Sequence, residues 1–378
     1  MLDRLHGYIA FLVENSFFLI VGTLAGLIWA NVNLSGYDSF AHHFRFAVNE
    51  IGMAFFFGIA AKEVFESILP GGALASPRKA AVPLLATLGG MILPALIFAC
   101  GALIAGHHEL VKGWAIPCAT DIAFSYLVAR LVFGANHPAI PFLLILAIAD
   151  DAVGLLILAL FYPTGVAHLL TLAGLVAGAV VLALLMKRVR VTSFWPYILV
   201  SGSMSWFGFF LGGFHPALAL VPVVFAMPHA QRDAGVFAEE KGVLKDALNQ
   251  FEHRFEAPVA LVLGLFGLAN AGVIFSSVGA GTWLVLTALL VGKPMGIFLF
   301  SLGGRIFKMT LPEGMRWADV FVLGCAAGIG FTVSLFVSTV AFEPGEHLGA
   351  VKMGSLLSLS GAFVTIAVAK VLKVNAVR

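Results

Sequence analysis

Stretches of about twenty apolar residues, the length a helix needs to cross a bilayer, recur along the whole chain. In lipid a backbone must pair its own N–H and C=O groups, so runs of this length are read as helices. Of the 378 residues 60% are hydrophobic and only 11% are charged. That balance leaves too little polar surface for a soluble globular domain. The expected fold class is an all-α polytopic membrane protein. About twelve spans are predicted, over roughly 9–31, 46–68, 81–105, 114–133, 139–162, 167–186, 194–212, 214–228, 255–275, 281–303, 318–342 and 349–371. Segments seven and eight are separated only by His215-Pro216.

The net charge of +2 points to no nucleic-acid partner; its distribution is more informative. With an inside N-terminus, roughly sixteen of the 22 Lys and Arg fall on one side, among them Arg78, Lys79, Arg188, Arg190, Arg232, Lys241, Lys245, Arg305 and Arg316. Arg45, Lys112 and Lys352 fall opposite, while Lys62, Lys293 and Lys370 lie within spans. This asymmetry predicts that both termini are cytoplasmic. The first apolar run is too long for a cleaved signal peptide and reads as a retained helix. His229 to Glu256 is the longest polar stretch, expected to be a cytoplasmic loop with a short amphipathic helix. Cys100, Cys118 and Cys325 have no metal-ligand spacing and read as packing residues.

Four charges fall near the bilayer midplane: Asp121, the adjacent Asp150 and Asp151, and Lys293. A carboxylate at that depth costs about 2.5–3.5 kcal/mol on insertion scales, so partners or a use are required. Lys293 is the obvious counter-charge, yet one cation cannot neutralise three carboxylates. Neighbouring helix positions point about 100° apart, so Asp150 and Asp151 cannot face the same point. One can pair with Lys293 while the other faces a cavity.

Two spans also carry helix-breaking punctuation. Pro117 precedes Thr120-Asp121, residues suited to cap a restarting helix. Span eleven reads Gly324-Cys-Ala-Ala-Gly-Ile-Gly-Phe-Thr332. Interrupted segments at matching places in two halves point to a transporter site between inverted repeats, here spans 3–5 and 10–12. Close packing of helices is the plainer account of the glycines.

Together these residues resemble the NhaA-type sodium/proton antiporters of bacterial inner membranes, themselves a standing example of inverted repeats with broken helices. The resemblance covers nearly the whole chain and rests on Gly113-Trp-Ala-Ile-Pro-Cys-Ala-Thr-Asp121, Leu146-Ala-Ile-Ala-Asp-Asp151, Ala269-Asn-Ala-Gly272, Gly292-Lys-Pro294, Leu311-Pro-Glu-Gly314 and Gly328-Ile-Gly-Phe-Thr332. It implies twelve helices, with the fourth and eleventh unwound and crossing. The core helices would span about 81–162 and 281–371 of a single transporter domain.

By the same resemblance Asp151 is the principal carboxylate for ion and proton, Asp150 the second and the partner of Lys293, and Thr120 an oxygen donor near the ion. Asp121 and Lys293 would compensate the helix-end charges at the crossing. The cargo would be Na⁺ or Li⁺ leaving the cytoplasm against entering H⁺, with two H⁺ per Na⁺ and no cofactor. Sodium prefers oxygen ligands, and burial makes an unneutralised carboxylate costly, so the two cations can compete for one pair.

Departures from the family are informative. The cytoplasmic end of helix two, usually Gly-Leu-Glu-Val-Lys-Arg-Glu, reads Ala61-Lys-Glu-Val-Phe-Glu-Ser67. Glu63 stands in for the family's pH-sensing glutamate, but two basic residues have become Phe65 and Glu66. Glu252 and His253 resemble the sensing cluster, whose second histidine is Glu256 here, and His215 resembles the histidine that opens helix eight. Asn31 to Arg45, which forms a dimerising hairpin in some relatives, is short; a homodimer is left open. Glu50 reads as a capping or snorkelling residue.

Other classes fit less well. An intramembrane aspartyl protease needs one aspartate on each of two helices, and its Gly-x-Gly-Asp motif meets Phe331 here. A sodium-coupled symporter of an organic anion needs cationic contacts, whereas this midplane is mainly carboxylate. A passive cation channel is disfavoured by the lysine and the titratable ligands. The chain reads as a transporter and not an enzyme.

Overall fold

The computed structural model describes residues 17–163, 168–229 and 246–374, and only the backbone of 77–79. Within these residues the chain is helical and contains no strand. The helices are α1 (Phe17–Val32), α2 (Leu34–Ile68), α3 (Pro77–Ile104), α4 (Ile122–Phe133), α5 (Ala139–Phe161), α6 (Leu169–Arg188), α7 (Tyr197–Gly212), α8 (Pro216–Ala226), α9 (Ala247–Asn270), α10 (Ala280–Phe307), α11 (Trp317–Ala327), α12 (Phe331–Ala341) and α13 (Glu346–Val371). Among the described residues 6 helices are long and apolar enough to cross a membrane, or 8 if each of two bent pairs is one span.

Several expected boundaries move. The segment Asn31 to Arg45 is no open connector: the chain is helical from Leu34 and runs on through a π-helical stretch, Ala47–Gly52, into the rest of α2. Similar π stretches interrupt α7 (Tyr197–Gly202) and α10 (Ala288–Gly292). A π turn leaves a backbone carbonyl without its usual partner. In α2 the Glu50 carbonyl, inside the π stretch, accepts the Trp206 indole N–H at 3.0 Å. The division at His215-Pro216 is real: Gly213, at φ 76, ends α7, and His215 caps the turn that opens α8. Lys352, assigned to the outer side by charge, is buried in α13. Cys118 and Cys325 are buried, but Cys100 is exposed, so the packing role expected of it from sequence is not what its position shows. The amphipathic helix expected between His229 and Glu256, and the charges at Arg232, Lys241 and Lys245, lie largely outside the described residues.

The chain divides into two compact units. One comprises residues 1–28, 35–75 and 155–269. In it α2 is tied to α9 by the Tyr37 hydroxyl, which donates to the Leu268 carbonyl at 3.0 Å. The other comprises 29–34, 76–154 and 270–378 and holds every midplane charge. Here α3 and α10 pack backbone to backbone. A Cβ on Gly89 would lie 2.2 Å from the Gly296 carbonyl oxygen, and one on Gly296 2.0 Å from that of Gly89. Small residues permit such approach where no hydrophobic drive exists between helices in lipid.

Candidate functional site

The site is built on two helix breaks in the second unit. Before α4 the chain makes only short 3-10 turns, His108–Gly113 and Ile116–Cys118, so the first half of span four is not the α-helix its apolarity suggested. Pro117 sits in the second turn, and α4 restarts at a bend of 55°. Asp121 is its N-cap and accepts the Phe124 N–H at 3.2 Å. The α11–α12 pair bends by 49° at Gly328-Ile-Gly330.

These breaks meet. The Asp121 N–H donates to the Ile329 carbonyl at 2.8 Å, and Asp121 Oδ2 accepts from the Thr332 hydroxyl and from the Thr332 N–H at 3.2 Å. The glycines serve close approach rather than unusual dihedrals. A Cβ on Gly328 would stand 2.6 Å from the Leu289 carbonyl oxygen, and one on Gly330 2.3 Å from the Ser334 hydroxyl.

Asp150 lies on α5 and is fully enclosed. Its Oδ2 receives Lys293 Nζ at 2.8 Å and the Thr120 hydroxyl at 2.5 Å. Lys293 also donates to the Cys118 carbonyl, a C-terminal group of the 3-10 turn before the first break. The ammonium thus sits where helix-end carbonyls leave negative charge. Asp150 Oδ1, by contrast, is buried with no hydrogen-bond partner. A buried carboxylate oxygen in that state asks for a proton or a cation. Asp151, the next residue, is half-buried. Asp121 does not join these two in one group able to hold a metal ion; no three His, Cys, Asp or Glu do so among the described residues.

The four expected pH-sensing residues fall into separate places within the first unit. Glu252, on α9, receives Lys62 of α2 at 2.5 Å, and the same ammonium reaches Glu66 at 2.5 Å. Glu63 is within electrostatic reach of all three. His253 is exposed. His215 belongs to another pair: its Nδ1 lies 3.3 Å from Glu50 Oε2 and accepts the Ala217 N–H at 3.4 Å. Glu50, read from sequence as a capping or snorkelling residue, instead lies in the π stretch with its side chain 20% exposed and set against that ring.

Sequence reasoning missed three contributors. Lys62 was seen only as a charge within a span, although its spacing of four from Glu66 was a usable signal. Thr332 was noted beside the glycines without a partner. His137, in the loop before α5, lies 4.0 Å from Asp319, which caps the start of α11 through Arg316 N–H at 2.7 Å.

Comparisons with known proteins show the family and the fold. A family pattern described as Na+/H+ antiporter 1 matches residues 9–370. The chain is 47% identical to a Na(+)/H(+) antiporter NhaA of Jannaschia sp. (strain CCS1), across 97% of this chain and 98% of the relative. It is 48% identical to a protein of the same name from Geobacter metallireducens, across 94% of this chain and 96% of the relative. The solved structure of the sodium proton antiporter MjNhaP1 from Methanocaldococcus jannaschii shares the fold at a TM-score of 0.57 and 16% identity, over 98% of each chain. The chain is therefore a multi-pass membrane protein that belongs to the Na+/H+ antiporter 1 family.

Proposed function

We propose that the protein exchanges cytoplasmic Na⁺ or Li⁺ for external H⁺, with Asp150 and Asp151 as the carboxylates both cations contest. The observation that carries this reading is Asp150. Its Oδ2 is saturated by Lys293 and Thr120, while its buried Oδ1 has no donor, and the next residue in the chain is a second aspartate. A proton satisfies that oxygen in one state. In the other, a sodium ion with Asp151, Thr120, backbone carbonyls and water supplies the charge instead. Lys293 and Asp121 offset the helix-end charges at the crossing. No resident cofactor takes part.

The organisation follows the same reading. The transport core comprises the spans over 81–162 and 281–371, supported by the compact unit that contains 76–154 and 270–378. The protein lies in the bacterial inner membrane with both termini cytoplasmic, as the Lys and Arg distribution favours. Two H⁺ enter per Na⁺, so the membrane potential adds about 2.3 kcal/mol per net charge per 100 mV to the driving force. Glu63 and Glu252 sense cytoplasmic pH around the Lys62 bridge, with His253 and His215 as outlying members.

Sodium-driven proton movement in everted vesicles tests the whole, with Asp151→Asn as control. Wild-type flux that is absent from roughly pH 6 to 9 sinks the exchange reading. Flux that survives Asp151→Asn sinks the site instead. A rate indifferent to an imposed potential removes the two-for-one stoichiometry.

A further inference from the structure

The two helix breaks are joined by a reciprocal pair of hydrogen bonds outside the carboxylate cluster. Ser125 is three residues into α4, and its hydroxyl donates to the Ala326 carbonyl near the end of α11 at 2.8 Å. Ser334 is three residues into α12, and its hydroxyl donates to the Ile116 carbonyl of the 3-10 turn before α4 at 2.8 Å. Both serines are at 0% exposure. Each restarting helix therefore holds a backbone carbonyl that lies before the break in the other interrupted segment.

This is not what a hydroxyl in an apolar helix does by default, which is to bond the carbonyl one turn back on its own helix. Ser338, Ser355 and Thr365 all do that here, at 2.7, 3.1 and 2.7 Å. Among the described residues Thr87, Ser205 and Thr282 also reach another helix, each joining a different pair, at the Leu146, Ala219 and Ala350 carbonyls. At the breaks two hydroxyls join the same two interrupted segments in both directions, from matching positions.

We propose that Ser125 and Ser334 are positioning residues that fix the spacing of the two breaks and thereby tune the site to the size of its cation. The inference rests on the reading of Thr120, Asp150 and Asp151 as the ion site. Thr120 and Asp121 lie in one break, and Thr332 opens the helix after the other. With both serine bonds made, neither break can shift without the other, so the oxygen donors near Asp150 keep one separation. Discrimination between ions of one charge depends on cavity size and on how stiffly the ligands are held.

Two readouts test this: exchange in everted vesicles, and thermal stabilisation of the purified protein by Na⁺ and by Li⁺, which reports binding without transport. Ser125→Ala and Ser334→Ala should each raise the Na⁺ KM about three- to tenfold with the maximal rate within about twofold. Each should also change the ratio of Na⁺ to Li⁺ affinity by about threefold or more in both readouts. Ser125→Cys and Ser334→Cys, which keep a weak donor, should fall between. Thr365→Ala, whose hydroxyl stays on its own helix, should leave the ratio unchanged. If both alanine variants fold and keep the wild-type ratio, the positioning role is overturned; if they do not fold, a wild-type ratio in both cysteine variants overturns it equally. Absent exchange with cation stabilisation intact would count against antiport and leave this proposal to be judged on binding.

Discussion

Lys293 and Lys62 are both lysines inside apolar helices, and both hold carboxylates, but under opposite conditions. Lys293 and Asp150 are each at 0% side-chain exposure, one cation to one carboxylate, and one oxygen of that carboxylate is left over. Lys62 is at 6% exposure, yet its two partners reach water, Glu66 at 17% and Glu252 at 35%. The first is closed off from solvent and electrostatically incomplete. The second is crowded with carboxylates but can be finished by water and salt. Incompleteness that water cannot repair is what a transported cation can exploit, whereas the solvent-linked cluster is suited to reporting on the compartment it touches.

The contrast can be broken most directly at Lys293. Lys293→Ala strands a buried carboxylate and should destabilise the protein by about 3–5 kcal/mol, read as a fall in melting temperature in detergent. Asp150→Asn combined with Lys293→Met should recover most of that stability while exchanging no Na⁺, since an uncharged pair of similar volume carries no desolvation cost. A Lys293→Ala protein that melts like the wild type would erase the distinction between the two lysines.

Lys62→Ala should cost only about 1 kcal/mol, because its partners can be solvated. That difference should shrink as salt is raised, while the Lys293 effect should not. An equal and salt-independent loss at both positions would mean that the Lys62 cluster is as dry as the midplane.

The smallest expected effect lies at His137, a third kind of environment, outside the spans but buried. Burial holds its pKa below the usual 6.5, against the pull of Asp319 and with a push from Arg316 in the same direction as burial. As pH falls the unfolded chain therefore takes up this proton before the folded one does. Its contribution is intact above about 6.5 and is lost as pH drops from there towards the depressed value. His137→Gln should flatten that part of the melting-temperature profile relative to wild type. A steeper acid limb in the variant would reverse the sign.

Much of this site could be read before folding, for one reason: a charge inside an apolar run is anomalous whatever it touches. Asp121, Asp150, Asp151 and Lys293 announce themselves that way, and Pro117 and the glycines of span eleven mark the breaks by local backbone chemistry. The hydroxyls do not. Ser125 and Ser338 look alike in sequence, since any serine can satisfy itself on its own helix. Nothing local says that Ser125 will reach a carbonyl 201 residues away and Ser338 one four residues away. Lys62 was similarly opaque, because its second carboxylate is 190 residues distant.

The sequence by itself determined that this chain lives in a bilayer, that its helices carry charges too costly to be idle, and roughly where two of them break. Those properties follow from hydropathy and from the backbone habits of proline and glycine, which act over a few residues. The tertiary structure decided which carboxylate Lys293 neutralises, that Thr332 answers Asp121, and that Glu50 faces His215. Such pairings depend on which helix faces meet, and that depends on close packing along entire helices rather than on any one stretch of chain.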